Sequence, residues 1–548
     1  MTALLFLLWF QLTPQLPAGV STTAVADTLP LVRVVPQEPV RSVGFTTVGT
    51  DSTLRWERWW SPSERRSREA GVVSARLTGF LRHDASLIQG FGPMRQRVRI
   101  DGVDLADPIT GLVNPHRIPH QNLALWEESL RGPTHRTRLE ERDFYVAKPI
   151  TTVDYEQGAF NRRSTDVVFA ANRSTRTGFA VRFWGKNDDG EYLGSPSSGR
   201  LMSARVYHHP DSVWKWVGQV RYQGLQTSEP DGYSIFNYIP QGTSPLNRGD
   251  ASVRDLTVNL FAKHRSDGMA GVHAGSYRRF YHGPADSSYH KVRSLGAYGI
   301  RHLDLGGVRT DAGLRATAFR ADSAGTWLRT EAELDARWGP IIAGTVLAHR
   351  TDRGFEPGAY VGADAGWLYA TVSAADGYQR VDAGLRRWGF ALHAYLASDD
   401  PQPGMSLEYR FLTPRWDIGA SVTGQNLGDP MHGSRFWNRS WIYWSGFLFD
   451  RATYVKTGVH ATLVPLGYHT PAYRPFEDRW QEAGSFTTLI DPFYRIDYDL
   501  TARVRNLFVY MRYEHLNQNA GQFGYQETAL YPMPGRHLRF GMKVVLRN

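Results

Sequence analysis

The sequence predicts an all-β membrane protein in which a large antiparallel β-barrel crosses the membrane. Three observations support this fold class. Stretches of about ten residues alternate apolar and polar side chains repeatedly after residue 150, as barrel strands do. After the N-terminus, no apolar run approaches the roughly 18 residues that a membrane helix needs. Hydrophobic residues make up 41% of the chain and its mean hydropathy is -0.40, which is too polar for a helical membrane protein.

The segment 326–338 shows the alternation most clearly. One face carries apolar and small side chains and ends in Trp338, whereas the other carries Arg329, Glu331, Glu333, Asp335 and Arg337. The segments 213–223 and 494–504 repeat the pattern. A soluble β-sandwich rarely places five consecutive charges on one face of a strand. We therefore expect the apolar faces to contact lipid and the charged faces to line a lumen.

The composition restricts the possible partners. The chain has no cysteine, which excludes disulfides, thiolate metal sites and cysteine nucleophiles. Its formal net charge is +10, but basic residues alternate with acidic ones along the predicted strands. No run of Lys and Arg is interleaved with stacking aromatic residues, so a nucleic-acid partner is not expected.

The N-terminus has the pattern of a secretion signal. Residues 3–10 form a short apolar core, and Ala24-Val25-Ala26 supplies the small residues that a signal peptidase accepts. We expect residues 1–26 to be a signal peptide. Because the segment before the apolar core lacks Lys and Arg, a retained N-terminal helix is the alternative.

The rest of the chain is organised around residues 88–133. A short strand pattern at 97–101 is followed by an Asp-Gly turn and a polar loop. A second apolar run then begins at an Ile-Pro pair. In order, the stretch reads IQGFGP, RVRIDGVDLADP, IP and LRGP. By itself it is a small strand-and-turn unit without catalytic chemistry.

This order resembles the plug domain of TonB-dependent outer-membrane receptors. The resemblance is carried by Gly90, Gly92, Pro93, Asp101, Gly102, Asp107, Pro108, Arg131, Gly132 and Pro133. It implies a small α+β plug inside the lumen of a barrel. We therefore divide the mature chain into an N-terminal arm and plug at 27–148 and an outer-membrane β-barrel at 149–548.

The C-terminus carries a second resemblance to the same receptors. The turn YPMPGR at 531–536 precedes an amphipathic final strand at 537–547, and NLFVY stands one strand earlier at 506–510. Two regions depart from the family pattern. Charged residues at 134–150 replace glycines that usually end the plug, and the chain ends in Leu-Arg-Asn rather than in the aromatic residue that the barrel-assembly machinery reads.

The length of the barrel region predicts the number of strands. Residues 151–548 allow about 18 residues for each of 22 strands, which accommodates a strand of about ten residues with its share of the connections. Twenty strands are also possible, and a porin of 14 to 18 longer strands is a further alternative. A wide barrel leaves a lumen that needs a plug.

The resemblance implies a receptor and transporter that imports a ligand through the plugged barrel. Metal chelates, cobalamin and glycans are the ligand classes that this family carries. The plug-apex residues that we expect to face the ligand are Arg95, Thr110, Asn114, His116 and Arg117. The candidates in the long polar connections, which we expect to be extracellular, are Tyr233, Phe236, Tyr238, Tyr468 and Tyr473. For each residue, solvation or packing within a loop is the alternative to ligand contact.

The same resemblance suggests an energy-coupling partner and a membrane environment. The extended segment 28–35 could add as a strand to the protein TonB, through Leu31, Val32, Val34 and Val35. Other expected partners are outer-membrane lipid, lipopolysaccharide and the barrel-assembly machinery. We predict no enzyme activity, cofactor or metal site, because no catalytic or phosphate-binding motif is present. An uncoupled binding or structural barrel and a passive porin are the alternative functions.

Overall fold

The computed structural model describes residues 47–50, 54, 59–235, 238, 243–265, 267–398, 403–427, 435–481, 489–520 and 522–547. The predicted signal peptide and most of the arm lie outside these residues. The predicted TonB-contact residues and Phe236 also lie outside them. Those predictions therefore stay predictions.

The described N-terminal part forms the plug. Its elements are β1 (Thr47–Thr50), α1 (Pro62–Arg66), β2 (Val72–Ala75), β3 (Ala85–Ile88), β4 (Gln96–Ile100), β5 (Val103–Asp104), β6 (Leu123–Arg131) and β7 (Thr134–Glu141). Short 3-10 helices cover Pro93–Arg95, Pro115–Arg117 and His120–Asn122. The helix α1 begins after Ser61, whose hydroxyl accepts a hydrogen bond from the backbone N–H of Glu64. The charged stretch 134–141 forms a regular strand that pairs with both β4 and β6, so the departure from the family pattern does not interrupt the plug sheet.

The plug sheet has the strand order β1-β6-β7-β4-β5. Strands β4 and β7 run parallel, and the other neighbours are antiparallel. One face of the sheet packs on a small apolar core formed by Val98, Ile100, Leu105, Ile118, Leu123, Trp126 and Leu139. The alternation of buried and half-buried residues along β4 and β7 leaves the other face polar.

The rest of the described chain is strands and their connections. In chain order they are β8 (Ile150–Gly158), β9 (Arg163–Asn172), β10 (Thr177–Asp188), β11 (Ser197–His208), β12 (Trp214–Ser228), β13 (Tyr233–Ile235), β14 (Thr243–Pro245), β15 (Asp250–His264), β16 (Gly268–His282), β17 (Ser287–Leu305), β18 (Val308–Ala321), β19 (Gly325–Trp338), β20 (Ile341–Arg350), β21 (Gly354–Asp364), β22 (Leu368–Ala375), β23 (Tyr378–Arg387), β24 (Phe390–Ala397), β25 (Gly404–Leu412), β26 (Trp416–Gln425), β27 (Arg435–Leu448), β28 (Thr453–Val464), β29 (Ala472–Arg474), β30 (Arg479–Gln481), β31 (Phe493–Val504), β32 (Leu507–Glu514), β33 (Gln526–Thr528), β34 (Tyr531–Pro532) and β35 (His537–Arg547).

Twenty-two of these strands form a closed antiparallel barrel, which confirms the predicted fold class and strand number. Each barrel strand pairs with its neighbours in the chain, and β35 closes the barrel by pairing with β8. Closure removes every free strand edge, which a membrane requires because lipid cannot hydrogen-bond exposed backbone groups. No helix of the described residues is long and apolar enough to cross a membrane.

The barrel strands place side chains as the alternation predicts. On β19, Leu334 and Trp338 are 44% and 64% exposed, whereas Glu331 and Asp335 are buried toward the lumen. On the final strand β35, alternate apolar side chains from Leu538 to Met542 face outward and Arg539 is buried. The protein is therefore a barrel of the outer-membrane type, with an apolar outer wall and a charged inner wall.

The two ends of the barrel differ in the length of their connections. One end carries tight turns, such as 306–307 between β17 and β18, where both glycines adopt positive φ as a two-residue hairpin requires. The other end carries the long connections 189–196, 229–249, 465–492 and 515–536. Outer-membrane barrels have short periplasmic turns and longer extracellular loops, so we name the two ends inner and outer.

Lumen tyrosines lie flat on glycines of the neighbouring strand. Three such rings belong to Tyr298, Tyr360 and Tyr395, which pair directly with Gly271, Gly344 and Gly404. The same rings also contact three glycines of the predicted plug motif, which are Gly102, Gly132 and Gly90 respectively. Gly90, Gly102 and Gly132 are therefore positions where the plug backbone approaches the barrel wall too closely for a Cβ, whereas nothing lies within 4 Å at Gly92.

We predict that Gly102→Ala loosens the plug more than Gly111→Ala does. Both glycines have positive φ, +84° and +77°, so both substitutions carry the same backbone strain. At Gly102 the new Cβ would also clash with the ring of Tyr298, whereas at Gly111 nothing lies within 4 Å. We expect the extra crowding to lower the local unfolding free energy of β4 and β5 by about 1–3 kcal/mol, measured by hydrogen–deuterium exchange. Equal exchange in the two variants would contradict the close packing.

Candidate ligand site

A cavity of about 820 Å³ lies at the outer end, between the plug apex and the barrel wall. The plug contributes the segment Gly90–Arg95, the turn at Thr110 and Gly111, and the polar face of β4. The barrel contributes residues of β19 to β21 and the connections that follow β20 and β22. Its volume is in the range of sites that hold a small-molecule ligand.

The cavity is open because the barrel connections above it are short. The connections 351–353 and 376–377, which border the cavity through Arg353 and Asp376, have only three and two residues. Over the other half, the long connections fold back on the plug strands β2 and β3 and bury two aromatic clusters. One half of the outer mouth is therefore covered, and the other half gives access to the plug.

The plug apex is shaped by turn chemistry. Asp107 accepts hydrogen bonds from the backbone N–H groups of Ile109 and Thr110, at 2.7 and 2.9 Å. Such an Asx turn stabilises the conformation of the apex loop, although the loop contains no helix or strand. The guanidinium of Arg353 donates to the carbonyl of Ile109 at 2.9 Å, which joins the apex to the barrel rim. Arg95 stacks its guanidinium over the ring of Tyr378, 3.5 Å from its centroid.

The lining of the cavity is positively charged. Its four carboxylates belong to Glu331, Glu333, Glu356 and Asp376. Its eight arginines are Arg95, Arg97, Arg99, Arg136, Arg329, Arg350, Arg353 and Arg435. Only one aromatic ring of Phe, Tyr or Trp type lines the cavity within the described chain, that of Trp480. The excess of guanidinium groups favours an anionic ligand.

The structure places two of the five predicted apex residues at this cavity, Arg95 and Thr110. Asn114 instead caps a 3-10 helix, with its side-chain oxygen accepting from the N–H of His116 at 2.9 Å. His116 and Arg117 are buried, which differs from the exposed position that we expected. His116 contacts Asp84 at 3.1 Å, and Arg117 pairs with Asp255 of β15 at 2.6 Å. Arg117 thereby joins the plug to the barrel wall, because a charge in the lumen is stable only when paired, whereas the contact of His116 with Asp84 lies within the plug.

The predicted loop tyrosines do not line the cavity. Tyr233, Tyr468 and Tyr473 are buried in the two aromatic clusters between the loops and the plug, which corrects the expectation that they are open to a ligand. Tyr238 is half-buried and accepts a hydrogen bond from the amide of Gln526 at 2.9 Å. The apolar body of each ring favours burial against the plug over exposure.

Sequence reasoning did not identify most of the cavity arginines. Arg97 and Arg99 alternate along β4, and Arg136 and Arg138 alternate along β7. The alternation in RVRI and in THRTRLEE was a detectable signal for a charged strand face. Its meaning depends on which strand lies beside β4, which the sequence does not reveal.

Hydrogen bonds and ion pairs hold the outer connection 465–492 against the plug, beside the cavity. The Nδ1 atom of His83 lies 2.8 Å from a carboxylate oxygen of Asp478, which also accepts from the hydroxyl of Tyr473 at 2.8 Å. Arg279 approaches the same carboxylate at 3.4 Å, and the indole of Trp480 donates to the carbonyl of His83 at 2.8 Å. Burial by itself would lower the pKa of His83. The charge of Asp478 and its hydrogen bond to the ring, together with the charges of Glu229 and Asp107, outweigh burial and raise that pKa.

We predict that the interaction between the connection 465–492 and the plug weakens as the pH rises. A raised pKa means that protonated His83 stabilises the docked position of the connection. This stabilisation is complete below the ordinary histidine pKa of about 6.5 and is lost as the pH rises past the raised pKa of His83. Because the chain has no cysteine, a spin label on Glu477→Cys, an exposed position, reports the motion of this connection alone. We expect its mobility to increase between pH 6 and pH 9. His83→Gln should abolish the pH dependence, and His282→Gln, on the exposed outer wall, should retain it. A pH-independent label in the parent protein would contradict the role of His83.

Comparison with known proteins agrees with this architecture. A family model described as a putative porin matches residues 435–546. No curated protein sequence matches the chain. Among solved structures, the ferric enterobactin receptor of Pseudomonas aeruginosa is similar with 11% sequence identity and a TM-score of 0.65, over 93% of this chain and 100% of that chain.

Two further solved structures are similar to the same extent. The FrpB iron transporter from Neisseria meningitidis has 9% identity and a TM-score of 0.66, over 91% of this chain and 99% of that chain. The ferric preacinetobactin receptor BauA from Acinetobacter baumannii has 10% identity and a TM-score of 0.63, over 92% and 96% of the two chains. The resemblance found in the plug and C-terminal motifs is thereby confirmed at the level of the fold: the chain has the plugged, 22-strand architecture of TonB-dependent outer-membrane receptors.

Proposed function

We propose that the protein is an outer-membrane receptor and transporter that binds a small anionic chelate at the plug apex and carries it inward. The observation that carries the proposal is the open cavity of about 820 Å³, whose walls come from both the plug apex and the barrel. A ligand in this position contacts the mobile part and the fixed part of a transporter at once. Binding can therefore be coupled to movement of the plug.

Of the three ligand classes that the resemblance allows, we favour metal chelates. Glycan sites use aromatic rings as apolar platforms, and the described lining of this cavity contains one such ring and eight arginines. Anionic chelates match guanidinium groups, which bind oxygen-rich anions through paired hydrogen bonds. The similar solved structures also include receptors whose names specify ferric enterobactin and ferric preacinetobactin. Neither observation identifies a particular chelate.

We propose that transport needs an external source of work. The plug is bound to the barrel through buried charge pairs on several sides, including Arg68 with Asp497 at 3.0 Å and with Asp499 at 2.6 Å, and Glu64 with Arg539. Separating one partner of a buried pair costs about 3–5 kcal/mol. A bound ligand alone supplies too little differential free energy to break several such pairs. Pulling on the N-terminal arm by TonB would supply it.

The two alternative functions, an uncoupled binding barrel and a passive porin, require different structures of the plug and the arm. An uncoupled binding barrel would keep the cavity and dispense with the arm. A passive porin, the alternative suggested by the family match at 435–546, would need a water-filled lumen. The plug occupies the lumen here and pairs with the barrel wall, which favours the receptor over an open pore.

We predict that cavity arginines control ligand affinity. The probe is ferric enterobactin, and binding is measured by quenching of intrinsic tryptophan fluorescence. The double variant Arg95→Gln and Arg353→Gln should weaken binding about tenfold, equivalent to about 1.4 kcal/mol. The control Arg278→Gln removes one arginine from the exposed outer wall of β16 and should leave binding unchanged. Equal affinities in all three proteins would contradict the assignment of the cavity, and absence of binding to the parent protein would exclude this chelate.

Deletion of residues 28–35 tests the coupling separately. We expect the deletion variant to bind the chelate with unchanged affinity, because the described residues that line the cavity belong to the plug and the barrel. Uptake of radioactive iron by cells that carry the variant should be lost. Uptake that continues after the deletion would reject coupling through the arm and favour the uncoupled alternative.

A further inference from the structure

The polar face of the plug sheet carries four arginines in adjacent positions. Strands β4 and β7 are parallel neighbours, and their register pairs Arg97 with Arg136 and Arg99 with Arg138. The intervening residues Val98 and Thr137 are buried on the opposite face. The four guanidinium groups therefore project together toward the barrel wall. We call these four residues the arginine face.

The arginine face is only partly neutralised. Glu333 of β19 pairs with Arg99 at 2.6 Å and with Arg136 at 2.9 Å, and Glu331 of β19 also pairs with Arg99. Arg138 contacts Glu140 at 2.5 Å and Glu127 at 3.7 Å. Within the described part of the chain, Arg97 forms no ion pair.

The barrel wall opposite adds another unsatisfied guanidinium. Arg315 of β18 has buried Nε and Nη1 atoms that find no hydrogen-bond partner among the described residues. Like charges placed directly across a sheet are destabilising, and a buried donor without an acceptor costs further stability. Arginines in direct register beside a second, unsatisfied guanidinium on the wall indicate a role in binding anions.

Two cavities meet at this face. The outer cavity of about 820 Å³ extends from the rim at Arg353 down to the arginine face. A second cavity of about 110 Å³ begins at the same face and reaches Arg265 and Gly268 at an inner turn of the barrel. Four residues line both cavities, which are Arg97, Arg99, Arg136 and Glu333. The two cavities therefore follow one another along a single side of the plug.

We propose that the arginine face is part of a path by which small inorganic anions, such as chloride, cross the protein while the plug stays in the barrel. The ion pairs of Arg99 and Arg136 with Glu331 and Glu333 close the path at its narrowest layer. An anion that enters from the outer cavity competes with these two carboxylates for the same guanidinium groups. Conduction is therefore small and selective for anions, and it requires neither the N-terminal arm nor uptake of a chelate.

The test measures single-channel currents and reversal potentials in planar lipid bilayers under a potassium chloride gradient. We expect rare, small, anion-selective openings from the full-length protein. The double variant Glu331→Gln and Glu333→Gln removes the competing carboxylates and should increase the conductance several-fold while selectivity for chloride is retained. The control Glu408→Gln removes a lumen-facing glutamate of β25 that lines neither cavity, and it should conduct like the parent protein.

A second pair of variants reports the selectivity itself. Arg97→Gln with Arg315→Gln should shift the reversal potential toward that of an unselective pore, whereas Arg278→Gln on the outer wall should leave it unchanged. Hydrogen–deuterium exchange of β4 and β7 verifies in each variant that the plug remains in the lumen. Silence of both the parent protein and the glutamate double variant would overturn the proposal. Currents that are unselective or cation-selective in both proteins would also overturn it.

Discussion

Pairing of charges between the plug and the inner wall of the barrel is the interaction on which the rest of this structure depends. Because the barrel strands alternate, every apolar outer face is accompanied by a polar face toward the lumen. A plug that fills such a lumen must present charges of the opposite sign, since a buried charge without a partner is strongly destabilising. Glu64 meets Arg512 and Arg539, and Arg117 meets Asp255. These pairs surround the plug and fix its orientation.

Aromatic packing determines where the site lies. The long connections fold over one half of the outer mouth and bury rings such as Tyr233 and Tyr468 against β2 and β3. Over the other half the connections are short, so the plug apex remains accessible. Lumen tyrosines that lie flat on strand glycines allow the plug backbone to approach the wall. The asymmetry of the loops, rather than a feature of the plug alone, therefore creates the cavity.

Charge pairing also explains why the arginine face differs from the rest of the interface between the plug and the barrel. On other sides of the plug, charges meet partners on the wall, as Arg68 meets Asp497 and Asp499. At β4 and β7, Glu333 is shared between Arg99 and Arg136, and Arg97 forms no ion pair among the described residues. Cavities rather than packed side chains lie on either side of these strands. A chelate at the apex and an inorganic anion at the arginine face would use the same chemistry at two depths.

From the sequence alone we could predict the barrel, its preferred number of 22 strands and the side chains that face lipid, because a period of two and a typical strand length depend only on neighbours in the chain. The sequence also located the plug glycines and placed Arg95 and Thr110 at the apex. The folded structure was needed to show that Arg117 pairs with Asp255, 138 positions away, and that Tyr473 packs on the plug. It alone brought Arg97 beside Arg136, through the parallel pairing of β4 and β7. Such contacts join segments distant in the chain, and local patterns carry no information about which segments meet.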